Sequence, residues 1–183
     1  KSFLVMDIEA LKAFFYDKSL IVGEKLYLRN EYLVKVDEKV KYLYWIEEGT
    51  VRAYLIDDNG EEQNIRFGYK GDLISVLSSV FMNQASHLYL QALKKTRVKI
   101  ISMEYLNTLK YEDIEFSKTW MAILEKLVCQ QMEREMDLLT QDPRLRYQRV
   151  MERSPQLFQE ISSKHIANYL RMTAETLSRV RKS

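Results

Sequence analysis

The chain has 183 residues, of which 46% are hydrophobic and 30% charged, and its formal net charge is +2. These values indicate one or two small globular domains with apolar cores and exclude a disordered chain. A single cysteine, Cys129, excludes a disulfide framework, a cysteine-ligated iron–sulfur cluster and a cysteine-based zinc site within this sequence. No apolar run approaches the roughly 20 residues that span a bilayer, and no signal peptide precedes the fold, so we expect a cytoplasmic protein without a membrane partner.

The first part of the chain is predicted to be a short amphipathic helix followed by β-structure. The helix covers residues 7–16, and alternating runs rich in Tyr, Val, Ile and Leu predict strands between Ile21 and Ser102. The sequence Asp57-Asp-Asn-Gly60 predicts a hairpin, and Gly49 and Gly71 mark further turns. Many short, closely spaced strands favour a small barrel or jelly roll, whose interior either encloses a ligand or is filled by its own side chains.

A long helix without Pro or Gly is predicted over residues 113–141. Its apolar stripe is too wide for one seam, so one edge is expected to cover the β domain and the other to pair with the same helix of a second subunit. The alternative is a single helix packed on one large core. Roughly 40 Å of helix, at 1.5 Å per residue, outreaches one small domain and favours the homodimer. Asp142-Pro143 ends this helix and starts the next, which places a hinge there.

The final segment, residues 161–183, has the pattern of a helix-turn-helix. Ser162 or Ser163 is expected to cap a first helix, and Thr173 a second helix that begins after a short turn. The predicted buried side chains are Ile166, Ala167 and Leu170 of the first helix and Leu177 and Val180 of the second. An ordinary amphipathic helical hairpin would show the same apolar pattern, so the polar face and the charge have to separate the two interpretations.

The polar face of the second helix carries side chains suited to reading a DNA major groove. Arg179 can form two hydrogen bonds to guanine, Glu175 can accept from a cytosine amino group, and the short hydroxyls suit phosphates. The predicted DNA-binding residues are Lys164, Thr173, Ala174, Glu175, Thr176, Ser178, Arg179 and Lys182. Further candidates for DNA-backbone contacts are Arg144, Arg146 and Arg149, unless they pair with acids in their own helix.

The charge distribution favours DNA as the partner. Residues 144–183 carry nine Lys and Arg against three acids, a net charge of +6, whereas the other residues carry 19 against 23, a net charge of −4. A nearly neutral chain therefore contains a basic C-terminal module, as expected for phosphate binding.

The order β-roll, long helix, helix-turn-helix resembles the Crp/Fnr family of transcription regulators. The matching segments are Gly49–Gly60 at the roll hairpin, Gly71-Asp72-Leu73 after it, Lys164–Leu170 in the first helix and Thr173–Arg179 in the recognition helix. The sequence of the C-terminal segments is most similar to that of Bacteroidetes-type members. The resemblance implies an α+β fold with a jelly-roll-like sensor domain at residues 1–112, a dimerisation helix at 113–141 and a winged helix-turn-helix domain at 142–183. Because family members continue into a short tail or β-wing, the chain is expected to be either truncated or poorly ordered after Ser183. The start at Lys1 rather than Met predicts that the native N-terminus is missing.

Three departures from the family pattern stand out. Arg171 lies in the turn where the family prefers Gly, so either it adopts the turn conformation at some cost or the turn differs slightly. Ala174 replaces a common polar contact residue, which affects operator preference. Ser86 and His87 occupy the positions where cyclic-nucleotide binders place a phosphate-binding Arg and a Ser or Thr, and Asp72 replaces the ribose-binding Glu. A hydroxyl cannot reproduce the bidentate bonds of a guanidinium, so we expect no ordinary cAMP binding.

The resemblance implies a homodimeric regulator that binds a palindromic operator on double-stranded DNA, with RNA polymerase as a further partner. An unidentified effector is expected at a candidate pocket of Gly71, Asp72, Leu73, Ser86 and His87, or at no pocket at all. The alternative is a small-molecule-binding regulatory module without DNA readout, against which the basic C-terminal module argues. A metalloenzyme is disfavoured because the two histidines, His87 and His165, lie in different regions, and we expect no catalytic residues, metal or cofactor.

Overall fold

A computed structural model describes the backbone of residues 3–182 and the side chains of residues 9–182. The chain begins with α1 (Phe3–Asp17), β1 (Ile21–Tyr27), β2 (Tyr32–Val34), β3 (Tyr42–Glu48), β4 (Thr50–Ile56), β5 (Glu62–Tyr69), β6 (Leu73–Ile74), α2 (Leu77–Met82), β7 (Tyr89–Ala92) and β8 (Thr96–Ser102). The helices α3 (Met103–Glu112), α4 (Ile114–Leu139), α5 (Pro143–Arg153), α6 (Pro155–Glu160), α7 (Ser163–Tyr169) and α8 (Ala174–Lys182) follow. The predicted α+β class is confirmed.

The β-roll consists of two four-stranded antiparallel sheets, which we call the inner sheet, β1-β8-β3-β6, and the outer sheet, β2-β7-β4-β5. The predicted hairpin joins β4 to β5: Gly60 has a φ of +79°, and the Asp57 carboxylate accepts the amides of Asn59 and Glu61. Gly49 turns the chain between β3 and β4 at a φ of +102°, where a Cβ atom would lie 2.6 Å from the backbone of Thr96. Only glycine fits both requirements at this turn.

Three apolar clusters divide the molecule into layers. The first lies between the two sheets and fills the roll. The second lies on the far side of the inner sheet, where Leu43 and Ile101 contact α1, α3 and α4 through Phe15, Leu106 and Trp120. The third belongs to α5–α8 and includes Phe67 of β5. The C-terminal helices therefore pack directly against the outer sheet.

The long helix α4 lies within the predicted range of residues 113–141, beginning one residue later and ending two residues earlier. A separate ten-residue helix, α3, precedes it, and Asp113 lies between the two in an extended conformation with a φ of −119°. The Asp113 carboxylate caps α4 by accepting the amides of Glu115 and Phe116. The prediction at the other end is confirmed, since Asp142 caps α5 by accepting the amide of Arg144, and Pro143 is the first residue of that helix.

No helix in the described part of the chain is long and apolar enough to span a membrane.

Candidate DNA-binding surface

The helix-turn-helix is formed by α7, the turn Leu170–Thr173 and α8. The predicted buried side chains Ile166, Leu170 and Leu177 are each at most 1% exposed, and Ala167 is buried where the two helices cross. Val180 is half-buried at the edge of this core. Because the two helices share one core, a movement of α7 also moves α8.

The N-termini of the two helices are built differently. The hydroxyl of Thr173 accepts the amide of Thr176 at 3.1 Å and caps α8, as predicted. The prediction that a serine hydroxyl caps α7 is wrong. Ser162 stands at the N-cap position without a side-chain cap bond, and the hydroxyl of Ser163 instead accepts a bond from the guanidinium of Arg181 at 2.9 Å.

The turn places Arg171 in the left-handed region, with a φ of +54°. The neighbouring backbone bonds hold it there: its amide donates to the Asn168 carbonyl, and the amide of Met172 donates to the Ala167 carbonyl. The guanidinium of Arg146 donates to the Arg171 carbonyl at 3.3 Å. The expected strain at this position is therefore present, since a side chain disfavours this conformation by about 1–2 kcal/mol.

The predicted recognition face of α8 is open to solvent. The exposed positions among the predicted DNA-binding residues are Lys164 on α7, Thr173 in the turn, and Ala174, Glu175, Ser178, Arg179 and Lys182 on α8. Thr176 is half-buried, and its hydroxyl bonds to that of Thr173 at 3.0 Å. Within the described residues, neither Glu175 nor Arg179 has a hydrogen-bond or ion-pair partner, which leaves both side chains for an external ligand.

The basic residues of α5 have structural roles that the charge count did not reveal. Arg146 is 7% exposed and donates to the Thr140 carbonyl at 2.5 Å. Arg149 and Arg153 form ion pairs with the fully buried Asp137 of α4. The hydrogen bond from Arg153 to Asp137 raises the pKa of Arg153 above its ordinary value. Of the further candidates for DNA-backbone contacts, Arg146 and Arg149 are thus engaged within the protein, and Arg149 pairs with acids of α4 rather than of its own helix.

The helix α4 presents two different faces. Phe116, Trp120 and Ile123 are buried in the cluster with α1 and the inner sheet. A second set of apolar side chains points to solvent, and we call it the α4 stripe: Ile114, Met121, Val128, Met132, Met136 and Leu139, with exposures of 45–74%. The prediction that one edge of the helix covers the β domain is confirmed, and the other edge remains uncovered in one chain.

The five predicted pocket residues lie in different environments. Gly71 and Asp72 form the turn between β5 and β6, where the Asp72 carboxylate accepts the amide of Tyr69 at 2.9 Å and burial raises its pKa. Leu73 packs against the cluster with α1 and α4. The buried hydroxyl of Ser86 bonds to both the amide and the carbonyl of Leu88, and His87 is exposed.

The interior of the roll is filled by side chains. Tyr44 is 5% exposed, and its hydroxyl donates to the Leu33 carbonyl at 3.1 Å across the space between the sheets. The surrounding buried side chains are Tyr27, Val34, Ile46, Val51, Ala53, Ile74, Val76, Leu90, Ala92 and Val98. A groove of about 970 Å³ does lie between α2, α3 and the start of β3, but its lining includes none of the five predicted pocket residues.

Four side chains that the sequence did not single out hold the C-terminal helices in place. Asn64 of β5 and Asn168 of α7 form a hydrogen bond between the β-roll and the helices α5–α8, which we call the reader. Arg134 and Asp137 of α4 contact the same helices. Their partners lie 12 to 106 positions away in the sequence. No local periodicity or motif carries such pairings.

Sequence and structural comparisons agree with this architecture. Residues 24–112 match the cyclic nucleotide-binding domain. The chain is 26% identical to an anaerobic regulatory protein of Aggregatibacter actinomycetemcomitans over 180 residues, which cover 88% of this chain and 66% of that protein. It is 26% identical to the fumarate and nitrate reduction regulatory protein of Vibrio cholerae over 172 residues, which cover 88% of this chain and 68% of that protein. The chain thus spans about two thirds of the length of the curated relatives it matches.

The fold is also shared with solved structures. FixK2 from Bradyrhizobium japonicum superimposes with a TM-score of 0.74 at 20% identity, covering 87% of this chain and 82% of that one. The likeness includes the β-roll, the long helix and the C-terminal helices in the same order. The chain therefore contains a cyclic nucleotide-binding domain at residues 24–112 and is similar, over most of its length, to transcription regulators of the Crp/Fnr family.

Proposed function

We propose that this protein regulates transcription as a homodimer that inserts α8 of each subunit into successive major grooves of a palindromic operator. The observation that carries the proposal is the α8 face itself. Glu175 and Arg179 lie four residues apart on one side of the helix, are exposed, and have no partner among the described residues. Their chemistry matches cytosine and guanine edges, and the exposed cations Lys164 and Lys182 flank them for phosphate contacts.

The α4 stripe supports the dimer. Its members recur at spacings of three, four and seven residues, as in helices that pair along one seam. Six exposed apolar side chains on one helix face are more than an isolated surface helix needs, and a second copy of the same stripe would cover them. In such a dimer the two recognition helices would read half-sites roughly 34 Å apart, one turn of DNA. RNA polymerase as a further partner remains part of this proposal.

We also propose that the β-roll does not bind cAMP. A phosphate would need a fixed cation, but Ser86 stands at the family's arginine position and its hydroxyl is already bonded within its own turn. The space between the two sheets is filled by Tyr44 and its neighbours, so a base and ribose would have to displace them to enter it. We expect isothermal titration calorimetry to give no heat with cAMP at micromolar concentrations. Micromolar binding would contradict this part of the proposal.

The test of DNA readout uses duplexes selected from a random-sequence pool by the purified protein. The homodimer loses one bidentate base contact in each subunit, about 2–6 kcal/mol in all, so Arg179→Ala should weaken binding to the selected duplex by roughly 30- to 20,000-fold, while binding to scrambled DNA stays the same. Arg97→Ala is the matched control, because Arg97 is an exposed arginine on β8, remote in sequence from the reader. Unchanged sequence preference in Arg179→Ala, or failure of the wild-type protein to select any sequence, would contradict the assignment.

A further inference from the structure

The outer sheet ends at β5, which pairs with β4 on one side and meets α7 on the other. On that edge, where β5 has no neighbouring strand, the side chain of Asn168 forms two hydrogen bonds to the β5 backbone. Its Nδ2 donates to the Glu62 carbonyl at 2.7 Å, and its Oδ1 accepts the Asn64 amide at 2.8 Å. One amide side chain thus satisfies an acceptor and a donor that a neighbouring strand would otherwise pair.

Side chains around Asn168 reinforce this contact. Asn64 is 1% exposed, and its Nδ2 donates to the His165 carbonyl at 3.3 Å. Phe67 of β5 packs edge-on against Tyr169, with ring centroids 5.5 Å apart. The roll therefore holds α7 through polar and aromatic contacts together.

The helix α4 holds the same segment from its other side. The guanidinium of Arg134 lies 3.6 Å from the ring centroid of Tyr169, and its Nη2 donates to the Tyr169 carbonyl at 2.5 Å. Arg134 is 7% exposed, so solvent does not compete freely for this bond. The end of α7 is thus fixed relative both to β5 and to the helix that carries the α4 stripe.

We infer that Asn168 is a positioning residue: its clamp on the β5 edge fixes the orientation of α8 relative to α4, and thereby the half-site separation that the dimer accepts. The inference rests on the proposed function. Since α7 and α8 share the core of Ile166, Leu170 and Leu177, the clamp on α7 transmits to the recognition helix. The docked arrangement leaves the α8 face exposed, so the clamp orients the reader and does not mask it.

The test variant is Asn168→Ala, because alanine keeps α7 helical and removes both bonds. Asn107→Ala is the matched control: Asn107 is also a half-buried helical asparagine, but its side chain bonds to Lys110 of the same helix. Hydrogen exchange on the protein alone reports the clamp through the Asn64 amide. Loss of two hydrogen bonds should speed exchange of that amide on the order of tenfold in Asn168→Ala, and not in the control.

The functional arm uses duplexes carrying the half-site selected by the wild-type protein, with separations changed by one or two base pairs. Each added base pair displaces and rotates the second half-site, so a fixed reader should discriminate strongly between separations. We expect the ratio of affinities between the best and the neighbouring separation to fall about tenfold in Asn168→Ala, with preference within each half-site retained. Asn64→Ala should give a smaller change in the same direction, since it removes the bond to the His165 carbonyl.

The outcomes separate the two proposals. If wild-type protein binds no sequence selectively at any separation, the proposed DNA readout fails. If wild-type protein reads a half-site but Asn168→Ala keeps the wild-type ratio between separations, the positioning role is overturned and the proposed function stands. A rise in affinity at every separation in Asn168→Ala would also overturn it, since the clamp would then be inhibitory.

Discussion

The α4 stripe predicts that Met132→Glu dissociates the protein into monomers. Met132 is 59% exposed in one chain. Complete burial of a methionine side chain contributes roughly 1.5–3 kcal/mol, so covering this exposed part should contribute about 1–2 kcal/mol in each subunit and about 2–4 kcal/mol in the dimer. Glutamate removes this contribution and places two carboxylates at one seam. At 1.4 kcal/mol per factor of ten, the dimer dissociation constant should rise roughly 30- to 1,000-fold.

Sedimentation velocity over a concentration series measures this change directly. Gln130→Glu is the control: Gln130 is exposed on the same helix, and two residues of separation place it about 200° around the axis from Met132. That variant should keep the wild-type dissociation constant. The comparison then shows whether the effect of Met132→Glu depends on where the charge lies on the helix or only on adding a charge. An undiminished dimer in Met132→Glu, with a native circular dichroism spectrum, would refute the assignment of the stripe as the interface. A wild-type monomer at tens of micromolar would refute it more directly.

Two further predictions concern the reader. Arg171→Gly should raise the free energy of unfolding in urea by about 0.5–1 kcal/mol, because it relieves an arginine held at a φ of +54° at some cost in unfolded-chain entropy. Asn83→Gly, at a φ of +49°, should give a smaller increase, because asparagine tolerates this region. Equal increases in the two variants would contradict the reasoning. Burial, with nearby Arg52 and Lys164, lowers the pKa of His165 below its ordinary value of 6.5, so the fold favours the neutral ring. The associated stability should be present above pH 6.5 and lost as the pH falls from 6.5 to the lowered pKa; His165→Gln should flatten this part of the urea-midpoint profile, and identical profiles would exclude His165 as its source.

Local signals in the sequence were sufficient for several elements. The caps Thr173 and Asp142 and the hairpin Asp57–Gly60 all depend on side chains that bond within four residues of their own position. Because these interactions are local, composition and spacing predict them. The positive φ at Arg171 is a different case, because the family's preference for Gly at this turn implied it and no local signal did.

The candidate pocket shows where this reasoning ends. Gly71–Leu73 and Ser86–His87 stand at matching positions along the chain, but whether such residues enclose a space depends on every side chain that points between the sheets. Tyr44 fills that space from β3 and bonds to Leu33 of β2. Neither residue carries a local signal that it lies inside a roll.

By itself, the sequence determined the order of roll, long helix and reader, and the identity of the side chains on the α8 face, because helix and strand periodicities and end caps are encoded over a few residues. The tertiary structure decided which charges remain available. Arg146 and Arg149 look identical to Arg179 in a count of basic residues, yet the first two are held by Thr140 and Asp137, and Arg179 stays exposed. It also decided that Asn168 bonds to Asn64, 104 residues earlier. Such pairs form only when elements distant in the sequence pack together, so only the tertiary structure shows which side chains bond to each other.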